Sequence, residues 1–115
     1  MPKPLVYISR KINQDGLEEL KKHCLIKMNP KRTPPSRKEF LKNVKAAQAV
    51  MSSLVEKIDS EVFQANPNLK IVANYAVGYD NIDLGAAKKY NIPVSNTPGD
   101  YSVAVAEQAM ALILS

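Results

Sequence analysis

The chain has no tryptophan, one cysteine, one histidine and four glycines in 115 residues. A single thiol, Cys24, cannot close an internal disulfide, so the fold must rest on its core, and the expected compartment is the reducing cytoplasm. The one histidine, His23, falls at the end of an expected helix, where it reads as a cap or surface residue and not a general acid. No metal site is expected. The glycines stand at 16, 78, 85 and 99, and none has the G-x-G-x-x-G spacing that cradles a dinucleotide phosphate. Long apolar runs are missing too. None reaches the length that crosses a bilayer, and the apolar part of the start is too short for a secretory signal, so no membrane partner is expected.

What is present describes one folded domain. Apolar residues make up 45% of the chain and charged residues 23%, near the averages for globular proteins, and the length suits one core and not two. Net charge is +5, with basic residues gathered at Lys31, Arg32, Arg37, Lys38, Lys42 and Lys45. Only Phe40 interleaves them, without a recognised nucleic-acid motif, so this region reads as a solvated face and no nucleic acid is expected as partner.

Strand and helix signals alternate along the chain, the pattern of a parallel sheet with helices on both faces. Residues 5–9 read as a first strand, and Asn13 caps a helix with apolar Leu17 and Leu20 three apart, running to about residue 23. Residues 24–28 form the second strand, followed by a loop at 29–35 that carries three prolines. Ser36 and Glu39 have the spacing of a capping box, opening a helix to about residue 43. Strands follow at 49–52, 70–75 and 92–95, with helices capped by Asp59, Asp83 and Ser102. Right-handed crossovers then favour a flavodoxin-like doubly wound α/β sheet of five parallel strands in the order 2-1-3-4-5. Ligands of such sheets bind beyond the carboxyl ends of the strands, which points to the loops after Ser9, Ser52, Tyr75 and Ser95.

In the third of those loops, Ile71-Val-Ala-Asn-Tyr-Ala-Val-Gly-Tyr-Asp-Asn-Ile-Asp83 reads as strand, glycine turn and helix cap. Gly78 is the position free to take a positive φ and to let a ligand approach the backbone. Successive amides in such a turn form a concave anion site suited to a carboxylate, although plain turn chemistry accounts for the same residues.

This segment resembles the substrate-binding motif of the D-isomer-specific 2-hydroxyacid dehydrogenases, of the glyoxylate/hydroxypyruvate reductase type. Lys57-Ile-Asp59, Pro67-Asn-Leu-Lys-Ile71, Asn96-Thr-Pro-Gly99 and Val105-Ala-Glu107 follow the same family in register, so the resemblance covers the whole chain. It implies an NAD(P)H-dependent reduction of a small 2-oxo acid. It places the substrate carboxylate on the amides of Val77 and Gly78, with Leu54 bordering the pocket. Ser102 stands where the family has a Ser or Thr near the cofactor, though a bare helix cap explains it equally well. The resemblance also divides the chain into a substrate-binding domain over 1–100 and a helix over 101–115 that in the family crosses to the nucleotide-binding domain. The family's catalytic Arg, Glu and His lie beyond that domain. The expectation is therefore a substrate-side piece without catalytic residues, inactive alone, with no cofactor bound and only weak hold on a 2-oxo acid.

The apolar stretch over 102–115 needs cover. It either folds back over its own sheet, hinged at Pro98-Gly99, or reaches a second copy and makes a homodimer. Two other readings compete. One is an excised fold with no function of its own. The other is a flavodoxin-like binding or signalling module, but a phospho-receiver needs acidic residues where Ser9-Arg10 and Ser52-Ser53 stand, and a flavin carrier needs a glycine- and hydroxyl-rich loop where residues 10–14 run.

Overall fold

The computed structural model describes residues 3–96. Ser102, the helix expected over 101–115 and the junction at 97–100 lie outside the described residues. Nine elements follow one another: β1 Leu5–Ile8, α1 Gln14–Lys21, β2 Leu25–Met28, α2 Arg37–Ala46, β3 Ala49–Ser53, α3 Ser60–Ala65, β4 Ile71–Tyr75, α4 Leu84–Lys89 and β5 Val94–Ser95. The sheet is parallel throughout, in the order β2-β1-β3-β4-β5. This is the doubly wound order expected from strand and helix alternation.

Successive strand residues point to opposite faces, and the core divides accordingly. Val6, Ile8, Ala49, Met51, Ile71 and Ala73 face one way and share a cluster with Leu17 and Leu20 of α1. Tyr7, Val50 and Val72 face the other way, against Phe40 and Val44 of α2, Val62 and Phe63 of α3, and Ala86 and Ala87 of α4. Tyr7 and Phe40 meet with ring centroids 6.0 Å apart at 54°, and Phe63 and Tyr90 at 5.9 Å. β3 is buried along its whole length, as befits the central strand. The rims differ. β2 exposes Leu25 and Lys27 in alternation, whereas β5 has two residues. Among the described residues no helix is long and apolar enough to cross a membrane.

Most helix starts obey their caps. Asn13 accepts from the Asp15 amide, Ser36 from the Glu39 amide at 3.2 Å, and Asp83 from the Ala86 amide at 3.0 Å. The expected cap at Asp59 is not made, because the Arg37 guanidinium takes its carboxylate at 2.7 Å. Arg37 also reaches the Lys57 carbonyl and Glu61, so α2 is clamped to the start of α3. Beyond the end of α4, Asn91 takes the left-handed region with φ 57°, which lets the next amide, that of Ile92, return to the Ala87 carbonyl at 2.9 Å. Gly78, free to take a positive φ, does not take one: among the described residues no glycine does. Element ends also differ by a few residues from expectation, most at α2, which runs on to Ala46, and at β5, which starts at Val94.

Candidate functional site

Parallel strands end together, so the loops after β1, β3 and β4 emerge side by side at one edge of the sheet. Ser53 and Tyr75 are register partners at the ends of β3 and β4. The chain beyond them carries Leu54 on one loop and Val77 and Gly78 on the next, all exposed. Val77 is 66% exposed and Leu54 55%, unusual for large apolar side chains unless something else covers them.

A chain of side-chain hydrogen bonds holds these loops in place. Asn74, fully buried near the end of β4, donates to the Gly78 carbonyl at 3.2 Å and accepts from the Ser52 hydroxyl at 2.8 Å. Asn81 exchanges contacts with Asn74 and donates to the carbonyls of Ser53 at 3.1 Å and Glu56 at 2.7 Å. A short parallel bridge, Ile58 with Ile82, runs beside it: the Ile58 amide reaches the Asn81 carbonyl and the Asp83 amide reaches the Ile58 carbonyl, each at 2.8 Å. The loop after β3 and the loop after β4 therefore move as one.

Glu56 anchors the other side of this arrangement. Its carboxylate is buried and accepts from the Ser53 amide at 2.8 Å, from the Ser53 hydroxyl and from the Ser9 hydroxyl. Among the described residues no cation lies within ion-pair distance of it. Hydrogen bonds alone offset its desolvation, which is why three donors converge on it.

The consequence for the backbone falls at Val77 and Gly78. The Asn96 side-chain amide donates to the Val77 carbonyl at 2.7 Å. In a trans peptide the following N–H points the opposite way from that carbonyl, so Asn96 on one side orients the Gly78 N–H on the other. Among the described residues no acceptor takes the Val77 or Gly78 amide. A Cβ built on Gly78 meets nothing within 4 Å, so the space in front of this peptide is open. Two backbone donors on this exposed turn are thus left without an acceptor among the described residues.

The structure thus brings Leu54, Val77 and Gly78 to one edge, while Ser102 lies outside the described residues. Asn74, Asn81, Glu56 and Asn96 were not singled out from the sequence. Asn74 carried a signal: an asparagine inside the apolar run of a strand is out of place by propensity and has a reason to be there.

Comparisons with known proteins place the chain in a family. A family model described as the catalytic domain of D-isomer specific 2-hydroxyacid dehydrogenases matches residues 6–111. The glyoxylate reductase of Korarchaeum cryptofilum is 43% identical over 113 residues, which is 98% of this chain and 34% of that enzyme. The chain therefore spans about a third of the length of such relatives. Among solved structures, a putative NAD-binding D-isomer specific 2-hydroxyacid dehydrogenase from Polaromonas superposes with a TM-score of 0.78 at 27% identity, over 85% of this chain and 31% of that one. An NADPH-dependent glyoxylate/hydroxypyruvate reductase from Sinorhizobium meliloti, in complex with NADP and malonate, gives 0.60 at 27% identity, over 84% and 29%.

Proposed function

Since the chain belongs to the D-isomer specific 2-hydroxyacid dehydrogenase family through its catalytic domain, we propose that it is the substrate side of an enzyme that reduces a small 2-oxo acid, glyoxylate or hydroxypyruvate. The product is the D-2-hydroxy acid. The observation that supports this reading is the pair of amides at Val77 and Gly78, without an acceptor among the described residues, on a turn whose carbonyls Asn96 and Asn74 hold. They take the substrate carboxylate, and exposed Leu54 supplies an apolar wall beside it. In the whole enzyme Ser102, which lies outside the described residues, would stand near the cofactor.

NAD(P)H supplies the hydride when bound. The glycines of the chain, at 16, 78, 85 and 99, do not have the spacing of a dinucleotide loop, so no step through the cofactor is assigned to these residues. What this domain contributes is binding and orientation: a fixed carboxylate presents the adjacent carbonyl carbon in one direction.

A titration of the 115-residue chain with glyoxylate, followed by amide resonances, tests the reading. Val77 and Gly78 are expected to shift, with half-saturation in the millimolar range, because two neutral donors without a cation hold a carboxylate weakly. No movement of either amide at tens of millimolar ligand would refute it.

A further inference from the structure

A second cavity opens at the same edge of the sheet, above β1 and β3. It has a volume of about 160 Å³ and is lined by Arg10, Arg32, Thr33, Ser53, Val55 and Glu56, with Pro34 at its rim. We infer that this cavity, between Arg10 and Arg32, is a second anion subsite that takes the far acidic group of a 2-oxo diacid whose near carboxylate sits on Val77 and Gly78. The inference rests on the carboxylate site proposed above and extends its ligands from glyoxylate and hydroxypyruvate to 2-oxo diacids.

The two arginines come from different loops, after β1 and after β2, and one buried side chain brings them together. The Asn29 amide donates to the Ser9 carbonyl and to the Thr33 carbonyl, each at 3.0 Å, while its oxygen accepts from the Lys31 amide at 3.1 Å. Ser9 precedes Arg10 and Thr33 follows Arg32, so Asn29 brackets both arginines at the mouth of one pocket. Glu56 closes the floor by holding Ser9 and Ser53. A satisfied buried frame of this kind holds the two loops, and the backbone of both arginines, in one arrangement.

Charge points to an anion. Among the described residues neither Arg10 nor Arg32 has a carboxylate within ion-pair distance, in contrast to Arg37, which has two. Glu56 shares the lining, but its carboxylate is held by Ser9 and Ser53, and among the described residues neither arginine is within ion-pair distance of it. Guanidinium groups bind carboxylates through paired parallel hydrogen bonds, and the Thr33 hydroxyl adds a further donor.

Position then links the cavity to the substrate. In the order β1-β3-β4 the loop of Arg10 and the loop of Gly78 are two strand spacings apart, roughly 10 Å. Ser53 and Val55, which line the cavity, flank Leu54, the apolar wall of the first site. An extended arginine and a four- or five-carbon diacid together span that gap, whereas glyoxylate, with nothing beyond its aldehyde carbon, cannot.

The test compares glyoxylate with 2-oxoglutarate and oxaloacetate on the chain and on its Arg10→Gln/Arg32→Gln variant, reading the Gly78 amide and the arginine Nε–H resonances. At least one of the two diacids is expected to bind about tenfold tighter than glyoxylate, the scale of a charge-assisted contact, and to move the signals of Gly78, Arg10 and Arg32 together. In the double variant that advantage disappears and glyoxylate binding is unchanged. Diacid binding no tighter than glyoxylate, or arginine signals silent while Gly78 responds, would overturn the subsite and leave the carboxylate site standing. A Gly78 amide that answers none of the three ligands would instead sink the carboxylate site, and the subsite with it.

Discussion

Asn81 donates its side-chain amide to the Glu56 carbonyl at 2.7 Å, and by this contact the loop after β4 is fastened to the loop after β3. The same nitrogen reaches the Ser53 carbonyl, so Asn81→Asp, of equal size, removes both donors and sets a carboxylate against two carbonyl oxygens. A loss of about 1–3 kcal/mol is expected, the usual result of leaving partly buried acceptors unpaired. Urea unfolding measures it, and a variant as stable as the parent would show that water replaces Asn81 freely.

Gly78→Ala separates shape from strain. Its φ is not positive and a Cβ there meets nothing within 4 Å, so the variant should match the parent or gain about 0.4–1 kcal/mol from a less flexible unfolded chain. The added methyl stands in the path of a ligand approaching the amides, so the glyoxylate-induced shift should weaken in the same protein. Thermal melts and the titration together check the split, and a clear loss of stability would mean that glycine is required by the backbone.

Asn91 carries the left-handed conformation instead, with φ 57°. Asn91→Gly should be neutral or slightly stabilising. Asn91→Val should cost about 1–2 kcal/mol, since a β-branched side chain crowds its own carbonyl in that region. Comparing the two variants by chemical denaturation removes any effect of the lost amide common to both.

Tyr7 makes the fold sensitive to alkali. Burial raises its hydroxyl above the ordinary tyrosine value of 10.0, with Glu39 and Glu56 adding to the rise and a hydrogen bond with Asn43 opposing it. The folded state therefore keeps its proton where the unfolded chain has lost it. The associated stability is whole below pH 10.0 and declines as pH rises through and beyond that value. Tyr7→Phe, which has no proton to lose, should flatten the decline; equal slopes above pH 10.0 for both proteins would exclude Tyr7 as the cause.

The strand order was legible because each strand of this sheet reads as a short β-rich run between helix caps, and parallel crossovers admit few arrangements. The turn at Gly78 was legible because a glycine between a strand and a capped helix is a local pattern, whereas Leu54 and the role of the Val77 and Gly78 amides came from the family resemblance. The framework under them was not local. Asn74 meets Ser52 across 22 positions, and Asn81 meets Ser53 across 28. Such pairings are made by strand register, which no window of sequence contains. Asp59 shows the same limit in reverse: its place before α3 signals a cap, but Arg37, 22 positions earlier, takes the carboxylate. For Gly78 the residue type offered both a positive φ and open access to the backbone; the φ is not positive, and the space beside it is open.

The two rims of the sheet offer different invitations to a stray polypeptide. β5, with two residues, presents too short a ladder for another strand to lengthen. β2 is four residues long, and Leu25 and Lys27 alternate outward along it. An incoming strand could match the leucine, but it would have to seat itself beside an ammonium group that strips water at a cost. Among the described residues β2 is paired on one side only, and replacing Lys27 by an aliphatic residue is expected to make that edge more prone to strand addition.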